Sequence, residues 1–315
     1  MKMYKISLIL SLLFLLSSCG SPFAPVVIAP TDVPVLSSPS DLPKSLAERM
    51  ILWNGGVLSL KNPAGKTDTT SPEETFGFFR ISSDNHYMVY RAQSIIADGG
   101  LPKLGDDKIM LWNLQTGQKK ILVSKAQSFP NAVLFAAPTF TPDGKKVVFL
   151  VSWAHADDLA EIDLASGKIQ RLNVNVLITN FGYPDVSKDG QIVVICKGPK
   201  ADTASELCLL DNNGKFVRYL TSEGDPSPGN GLFTPDGQYI VYDSWYKLYK
   251  VRVNGVGRQQ IAPCGMLAPD LVTDAYTLVT CYVSQKPDCY ALFIASLDGR
   301  EFQRIGYVEP VCNNQ

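Results

Sequence analysis

Two segments, TFTPDGKKVVFL at 139–150 and LFTPDGQYIVY at 232–242, write Thr-Pro-Asp-Gly between the same kinds of neighbours. Duplicated catalytic sites are rare and duplicated structural units are common, so the repetition points first to a repeated fold unit. The local chemistry agrees. Proline fixes φ at the second position of a tight turn, aspartate suits the third, and glycine takes the left-handed position that closes a hairpin. Variants of this turn recur at Ser83-Asp84-Asn85 and Lys188-Asp189-Gly190, with a degraded copy in LAPDLVTDAYTLVTC. A second turn follows each: Thr116-Gly117, Ser166-Gly167, Asn213-Gly214, Asn254-Gly255 and Asp298-Gly299, with Ala64-Gly65 as an early sixth.

The segments between turns read as strands. In LAEIDL, Ala160, Ile162 and Leu164 alternate with Glu161 and Asp163; in YKVRV, Tyr249, Val251 and Val253 oppose Lys250 and Arg252. That period of two describes a strand with one solvated face, whereas KKVVFLV and QIVVIC are continuously apolar and belong deeper. Four antiparallel strands in a unit of about 41–52 residues is the period of a propeller blade. Six glycine turns against five aspartate turns split one blade between the chain ends. MILW, VLSL and a strand after Gly65 supply three of its strands, and the tail PVCNN supplies the fourth. The expected fold is all-β: a six-bladed β-propeller of four-stranded antiparallel blades over 46–315, its last blade closed by strands from both termini. Such closure removes exposed sheet edges.

The N-terminus reads as a processing signal. Lys2 and Lys5 precede an apolar run from Ile6 to Leu16, too short to span as a stable anchor, and Leu16-Ser17-Ser18-Cys19 resembles the bacterial lipobox. Residues 1–18 are expected to be a lipoprotein signal peptide and Cys19 the lipidated first residue. Residues 19–45, rich in proline and serine without strand or helix period, are expected to form a stalk. The location that follows is the bacterial cell envelope, lipid-anchored and extracytoplasmic. A net charge of −1 and the lack of a basic stripe argue against nucleic-acid binding.

Six cysteines follow Cys19, an even count that in an exported chain favours disulfides; no CxxC pair is present for zinc. Cys196 ends the second strand of one blade and Cys208 sits in its third, and Cys281 and Cys289 hold the corresponding places two blades later. Cys196–Cys208 and Cys281–Cys289 are therefore the expected bridges, with Cys264–Cys312 left by elimination.

PTFTPDGKKVVFLVS…LAEIDLASGKIQRL and LFTPDGQYIVYDSWYKLYKVRVNGVGRQQI resemble the TolB-type propeller repeat, Pro-x-aromatic-Ser/Thr-Pro-Asp-Gly followed by an apolar strand and a glycine-turn hairpin. The resemblance covers nearly all of 75–305, strongest in the second and fourth copies. It implies the propeller fold. It also implies a kinship with a periplasmic family that docks onto other envelope proteins and carries a small α/β domain ahead of its propeller; here the stalk runs almost directly into blade strands. The same repeat gates prolyl-oligopeptidase-type enzymes, but a Gly-x-Ser-x-Gly elbow is not found in this sequence.

Two histidines, His86 and His155, cannot supply the several histidine ligands of pectate-type lyases with similar repeats. His86 reads as a turn residue, LLDNNGK as a turn rather than a calcium loop, and Asp157-Asp158 as a solvated loop. No serine or cysteine has a convincing triad partner. The longer connections gather at the end opposite the tight turns, and there Trp153, His155, Trp245 and Tyr246 form a candidate binding face, aromatic enough for a protein or glycan contact. Equally, these aromatics cap the ends of their own blades. The expected function is a non-enzymatic binding module for an envelope protein or cell-wall glycan, with no cofactor. The alternative is an enzyme acting on a small or saccharide substrate in the axial channel, with calcium held by Asp, Asn and carbonyl oxygens.

Overall fold

The computed structural model describes residues 51–54, 57–61, 67–69, 79–84, 86–96, 103–154, 157–179, 183–199, 205–222, 227–244, 247–273, 275–285 and 288–308. β1 (Ile51–Asn54), β2 (Val57–Lys61) and β3 (Thr67–Thr69) make a three-stranded antiparallel sheet. Five four-stranded antiparallel sheets follow in chain order. The first holds β4 (Phe79–Ile81), β5 (Tyr87–Ile96), β6 (Lys103–Asn113) and β7 (Lys119–Ser124), followed by a single helical turn, α1 (Lys125–Ser128). The second holds β8 (Leu134–Phe140), β9 (Lys146–Ser152), β10 (Asp157–Asp163) and β11 (Ile169–Arg171). The third holds β12 (Asp185–Val186), β13 (Ile192–Lys197), β14 (Ser205–Leu210) and β15 (Phe216–Tyr219). The fourth holds β16 (Pro228–Phe233), β17 (Tyr239–Ser244), β18 (Lys247–Arg252) and β19 (Gln259–Ala262). The fifth holds β20 (Met266–Val272), β21 (Tyr276–Gln285), β22 (Asp288–Ser296) and β23 (Phe302–Val308).

The strand patterns of the sequence become a gradient of burial across each sheet. Second strands are enclosed on both faces: Val147, Val148, Phe149, Leu150 and Val151 of β9 are all buried. Of the third strands, β10 keeps a partly solvated face, with Leu159, Ala160 and Ile162 inside while Asp158, Glu161 and Asp163 keep partial exposure, whereas β14 is buried from Glu206 to Leu210. Fourth strands are mostly solvated. Asp157 and Asp158 open β10 instead of lying in a loop, because pairing with Ser152 and Val151 extends the sheet to meet them.

Consecutive sheets share cores. One apolar cluster joins Val89 and Ile109 of the first sheet to Phe135, Phe149 and Val151 of the second. Others join the second to the third through Leu150 and Val194, the third to the fourth through Ile195 and Tyr242, and the fourth to the fifth through Val241 and Phe293. The second, third and fourth sheets are thus each sandwiched by their sequence neighbours. Full burial of one such side chain is worth about 1.5–3 kcal/mol. The innermost strands follow one another around an axis, β4 beside β8, then β12, β16 and β20, and β20 comes again beside β4. The outer face of the first sheet carries its own cluster of Met88, Tyr90, Met110 and Trp112. The closing strand expected from PVCNN lies outside the described residues, as do residues 1–50 with Cys19.

Cys196 and Cys208 are bonded across β13 and β14, with Cα atoms 5.9 Å apart. The second bridge joins Cys264 to Cys281 at a Cα separation of 5.7 Å, which corrects both the Cys281–Cys289 and the Cys264–Cys312 expectations. Register explains the difference. Cys208 lies two residues beyond Glu206, the partner of Cys196, on the side away from the connecting loop. Cys281 stands opposite Ala291, and Cys289 lies on the loop side of it, opposite Ser284 after a bulge. Cys264 meanwhile lies two residues before the start of β20, which runs antiparallel beside β21 with Met266 opposite Thr280. It therefore reaches Cys281 from the axial side.

Candidate functional site

The repeated aspartates are committed to their own turns. Thr141 Oγ1 donates to Asp143 Oδ1 at 2.6 Å, the same oxygen accepts the Lys145 N–H at 3.1 Å, and Lys146 N–H returns to Thr141 Oγ1 at 3.0 Å. Thr234 and Asp236 repeat this at 2.6 and 2.9 Å, with Tyr239 N–H on Thr234 Oγ1 at 3.0 Å. Ser82–Asp84 and Ser296–Asp298 follow the same plan. Hydroxyl donors from Ser82, Thr141 and Ser296, with backbone N–H groups, hold the carboxyls of Asp84, Asp143 and Asp298 below the usual range. Gly144 and Gly237 close their turns at φ values of 67° and 72°. His86 belongs to the first of these turns, its N–H on Asp84 and its side chain exposed.

The LLDNNGK segment does not fit calcium. Asp211 Oδ1 accepts the N–H groups of Asn213 and Lys215 at 2.8 and 2.9 Å, so the loop turns donors inward where a cation needs oxygens. Among the described residues no group of three or more His, Cys, Asp or Glu side chains is placed to hold a metal.

What the repeat varies is more informative than what it keeps. The position two residues before the turn's Ser or Thr lies on each innermost strand, and it reads Arg80, Thr139, Asp185 and Leu232 in the first four sheets. Arg80 is buried and line Asp185 and Thr139 with it an axial cavity of about 310 Å³, to which all five four-stranded sheets contribute, the fifth through Val272. The Asp185 carboxylate accepts the Phe233 N–H at 2.8 Å and a bond from Thr139. Burial pushes its pKa up, opposed first by the Arg80 charge. Towards the other end of the axis, Tyr183 packs under Arg80 with the guanidinium 5.8 Å from its ring centre. Tyr183 N–H reaches Asn230 Oδ1 at 3.3 Å, and Asn230 N–H donates to Asp243 at 2.8 Å. Asp243 is deeply set yet retains some accessible surface, and burial pushes its pKa up to about 6. A Cβ on Gly229 would run into that carboxylate, so a larger residue there would have to displace it.

The axial cavity opens among Ser83, Pro142, Lys188 and Pro235, at the end of the molecule that carries the tight turns. Two further cavities lie on this face between neighbouring sheets. One of about 660 Å³ separates the second sheet from the third, and one of about 300 Å³ the fourth from the fifth.

The aromatic face expected at the opposite end is described in only one of its four residues; His155, Trp245 and Tyr246 lie outside the described residues. Trp153 is tied into its own blade. Its indole N–H donates to Asp158 at 3.0 Å, Arg171 covers the ring at 4.9 Å while pairing with Asp158, and Phe129 meets its edge at 6.3 Å. Sequence reasoning missed Arg80, Asp185, Asp243 and Lys188. A signal for the first two was present, since a charge within an innermost strand breaks the apolar rule for that position.

The arrangement of sheets is shared with solved proteins. TolB from Acinetobacter baumannii superposes with a TM-score of 0.61 at 19% identity, over 81% of this chain and 62% of that one. The fold is a TolB-like β-propeller. This chain spans less than two thirds of that TolB's length. An oligogalacturonate lyase in complex with manganese matches with a TM-score of 0.53 at 17% identity, over 77% of this chain and 72% of that one. The oligogalacturonate lyase of Vibrio parahaemolyticus gives 0.53 at 15%, over 80% and 71%. At such identities the likeness concerns the fold alone. No protein-family model matches the chain, and no curated protein matches it.

Proposed function

We propose that the chain is a lipid-anchored, extracytoplasmic binding module of the bacterial cell envelope that receives an envelope protein or glycan at the tight-turn end of its axis. The observation behind this reading is the axial cavity, to which every four-stranded sheet contributes and in which Asp185, beside the Arg80 charge, is held by Thr139 and a backbone N–H of the fourth sheet. Rigid, pre-positioned charge in a concave site favours recognition of a complementary partner. The propeller is six-bladed in this proposal, β1–β3 forming a sixth blade completed by the C-terminal residues; deletion of 309–315 then lowers the melting temperature. Cys19 is the lipid anchor, which palmitate labelling of wild type and Cys19→Ala tests.

The site is tested by placing a photo-reactive residue at exposed Ser83, by the axial mouth, or at exposed Leu177, in the crossover at the far end. Cross-links to one envelope component from position 83 and none from 177 support the reading. Cross-links from 177 alone move the site to the other end of the axis.

A second reading has one observation in its favour. Asp243, pushed up to about 6, is poised to hold and release a proton near neutral pH. An enzyme of small or saccharide substrates is therefore the alternative. Turnover of an oligosaccharide by the wild type and its loss in Asp243→Asn, with folding intact, establishes it.

A further inference from the structure

We infer that the cleft between the second and third sheets is the binding groove for an extended acidic peptide segment, an inference that rests on the binding-module reading and gives the partner its chemistry. The cleft and the axial cavity are continuous, for Thr141, Pro142, Val186, Ser187 and Lys188 line both. A groove therefore runs from the flank of the molecule to the axis with Lys188 at the junction.

The walls are built and fixed. Asn173 N–H donates to the Asn213 carbonyl at 3.1 Å, and Phe216 N–H to Asn175 Oδ1 at 2.7 Å, stitching the crossover between the sheets to the second turn of the third. Gly214 sits so close to this crossover that a Cβ would meet Leu172 Cβ at 3.0 Å. The charge is one-sided once internal pairs are set aside. Lys146 is paired with Glu161 at 2.7 Å, Arg171 with Asp158, and Asp143 is bound into its turn. Lys188 and Lys215 are exposed and make no ion pair among the described residues. The same cleft is lined by the amides of Gln170, Asn173, Asn212 and Asn213, with Asn213 Nδ2 donating to Asn212 Oδ1 at 3.0 Å. A carboxamide offers both a donor and an acceptor, which is what a peptide main chain requires. Beyond Lys188 the axial cavity presents Phe140, Leu232, Phe233 and Val272 beside the charges of Arg80 and Asp185. The match is to acidic residues over the two lysines. A sugar ring favours an aromatic platform, and none lines this cleft.

The test uses the full chain in detergent, probed with an arrayed library of random eight-residue peptides and, in parallel, with an array of acidic oligosaccharides. Bound peptides are expected to be enriched in Asp and Glu, and Lys188→Glu and Lys215→Glu each to weaken the selected peptides roughly tenfold. Lys120→Glu, an exposed charge reversal on β7, leaves them within about twofold. Both reversals are at exposed positions, and unchanged melting temperatures verify the fold. No acidic enrichment, or enrichment that survives the double reversal, overturns the inference. Lysine-dependent binding of oligosaccharides without peptides overturns it too, while leaving the binding-module reading standing. Cross-linking at Ser83 that fails while peptides bind overturns the envelope reading alone.

Discussion

The two inter-sheet clefts of the tight-turn face share a frame and differ in chemistry. Each begins with the same turn, Thr141-Pro-Asp143-Gly144 in one and Thr234-Pro-Asp236-Gly237 in the other, with matching hydrogen bonds. Each ends against the second turn of the following sheet, at Asn212–Asn213 or at Asp298. Yet Lys146 of the first occupies the place of Tyr239 in the second, and Glu161, opposite Val148, the place of Lys250, opposite Val241. The first cleft is basic and amide-lined; the second offers Tyr239, Tyr276, Asp298 and Glu301. The lesson is that repeated residues make the frame and specificity resides in positions where copies disagree. The first cleft shares Thr141, Pro142, Val186, Ser187 and Lys188 with the axial cavity, whereas the second shares Thr234.

The sharpest way to break this comparison is at the turn glycines beside each cleft. Gly214 and Gly299 both have positive φ, 87° and 77°. An added Cβ meets the Leu172 side chain at 3.0 Å in one case and a flexible Gln259 amide at 3.3 Å in the other. The left-handed backbone alone costs about 1–2 kcal/mol, and overpacking a rigid wall adds about 1–3 kcal/mol. Denaturant titration is expected to show Gly214→Ala as clearly the worse of the two. Equal losses would mean that the first cleft is no more rigidly walled than the second.

Next in size is the axis on which the first cleft opens. The native Asp243 carboxyl holds its proton up to about 6, while the unfolded carboxyl releases it near 3.8. Between those values the native state binds more protons, so this group's contribution to stability falls as pH rises and its full cost is present above about 6. Asp243→Asn is expected to gain stability over wild type at pH 7.5, of order 3 kcal/mol, and little at pH 4. A gain independent of pH would place the carboxyl in water.

The smallest effects test the shared frame. Thr141→Val and Thr234→Val each lose the turn's side-chain bonds, for about 1 kcal/mol, and the two are expected to agree within about 0.5 kcal/mol. For Asp143 and Asp298, whose pKa values are lowered, the stabilisation is present above the unfolded pKa and lost as pH falls through the folded one. Acid titration of Asp143→Asn and Asp298→Asn is expected to flatten the same limb.

Much of the frame was legible in the sequence. The Thr-Pro-Asp-Gly turns, the buried second strands and the partly solvated face of β10 follow from local rules, and each copy reinforced the others. The Cys264–Cys281 bridge was not, because it depends on a bulge after Tyr282 and on which diagonal of a twisted sheet comes close. The basic cleft was not either. Its lining comes from separate segments around Lys146, Arg171, Lys188 and Asn213, brought together only by the packing of one sheet on the next. Asp243 looked like an ordinary strand-end residue, and burial alone distinguishes it.

The most direct measurement is lysine acetylation, read by mass spectrometry, in intact envelopes and in the purified chain. If the basic cleft is occupied in its native setting, Lys188 and Lys215 are several-fold slower to react in envelopes, while Lys120, exposed elsewhere, reacts alike in both. Equal rates at Lys188 and Lys215 in the two preparations would contradict the account.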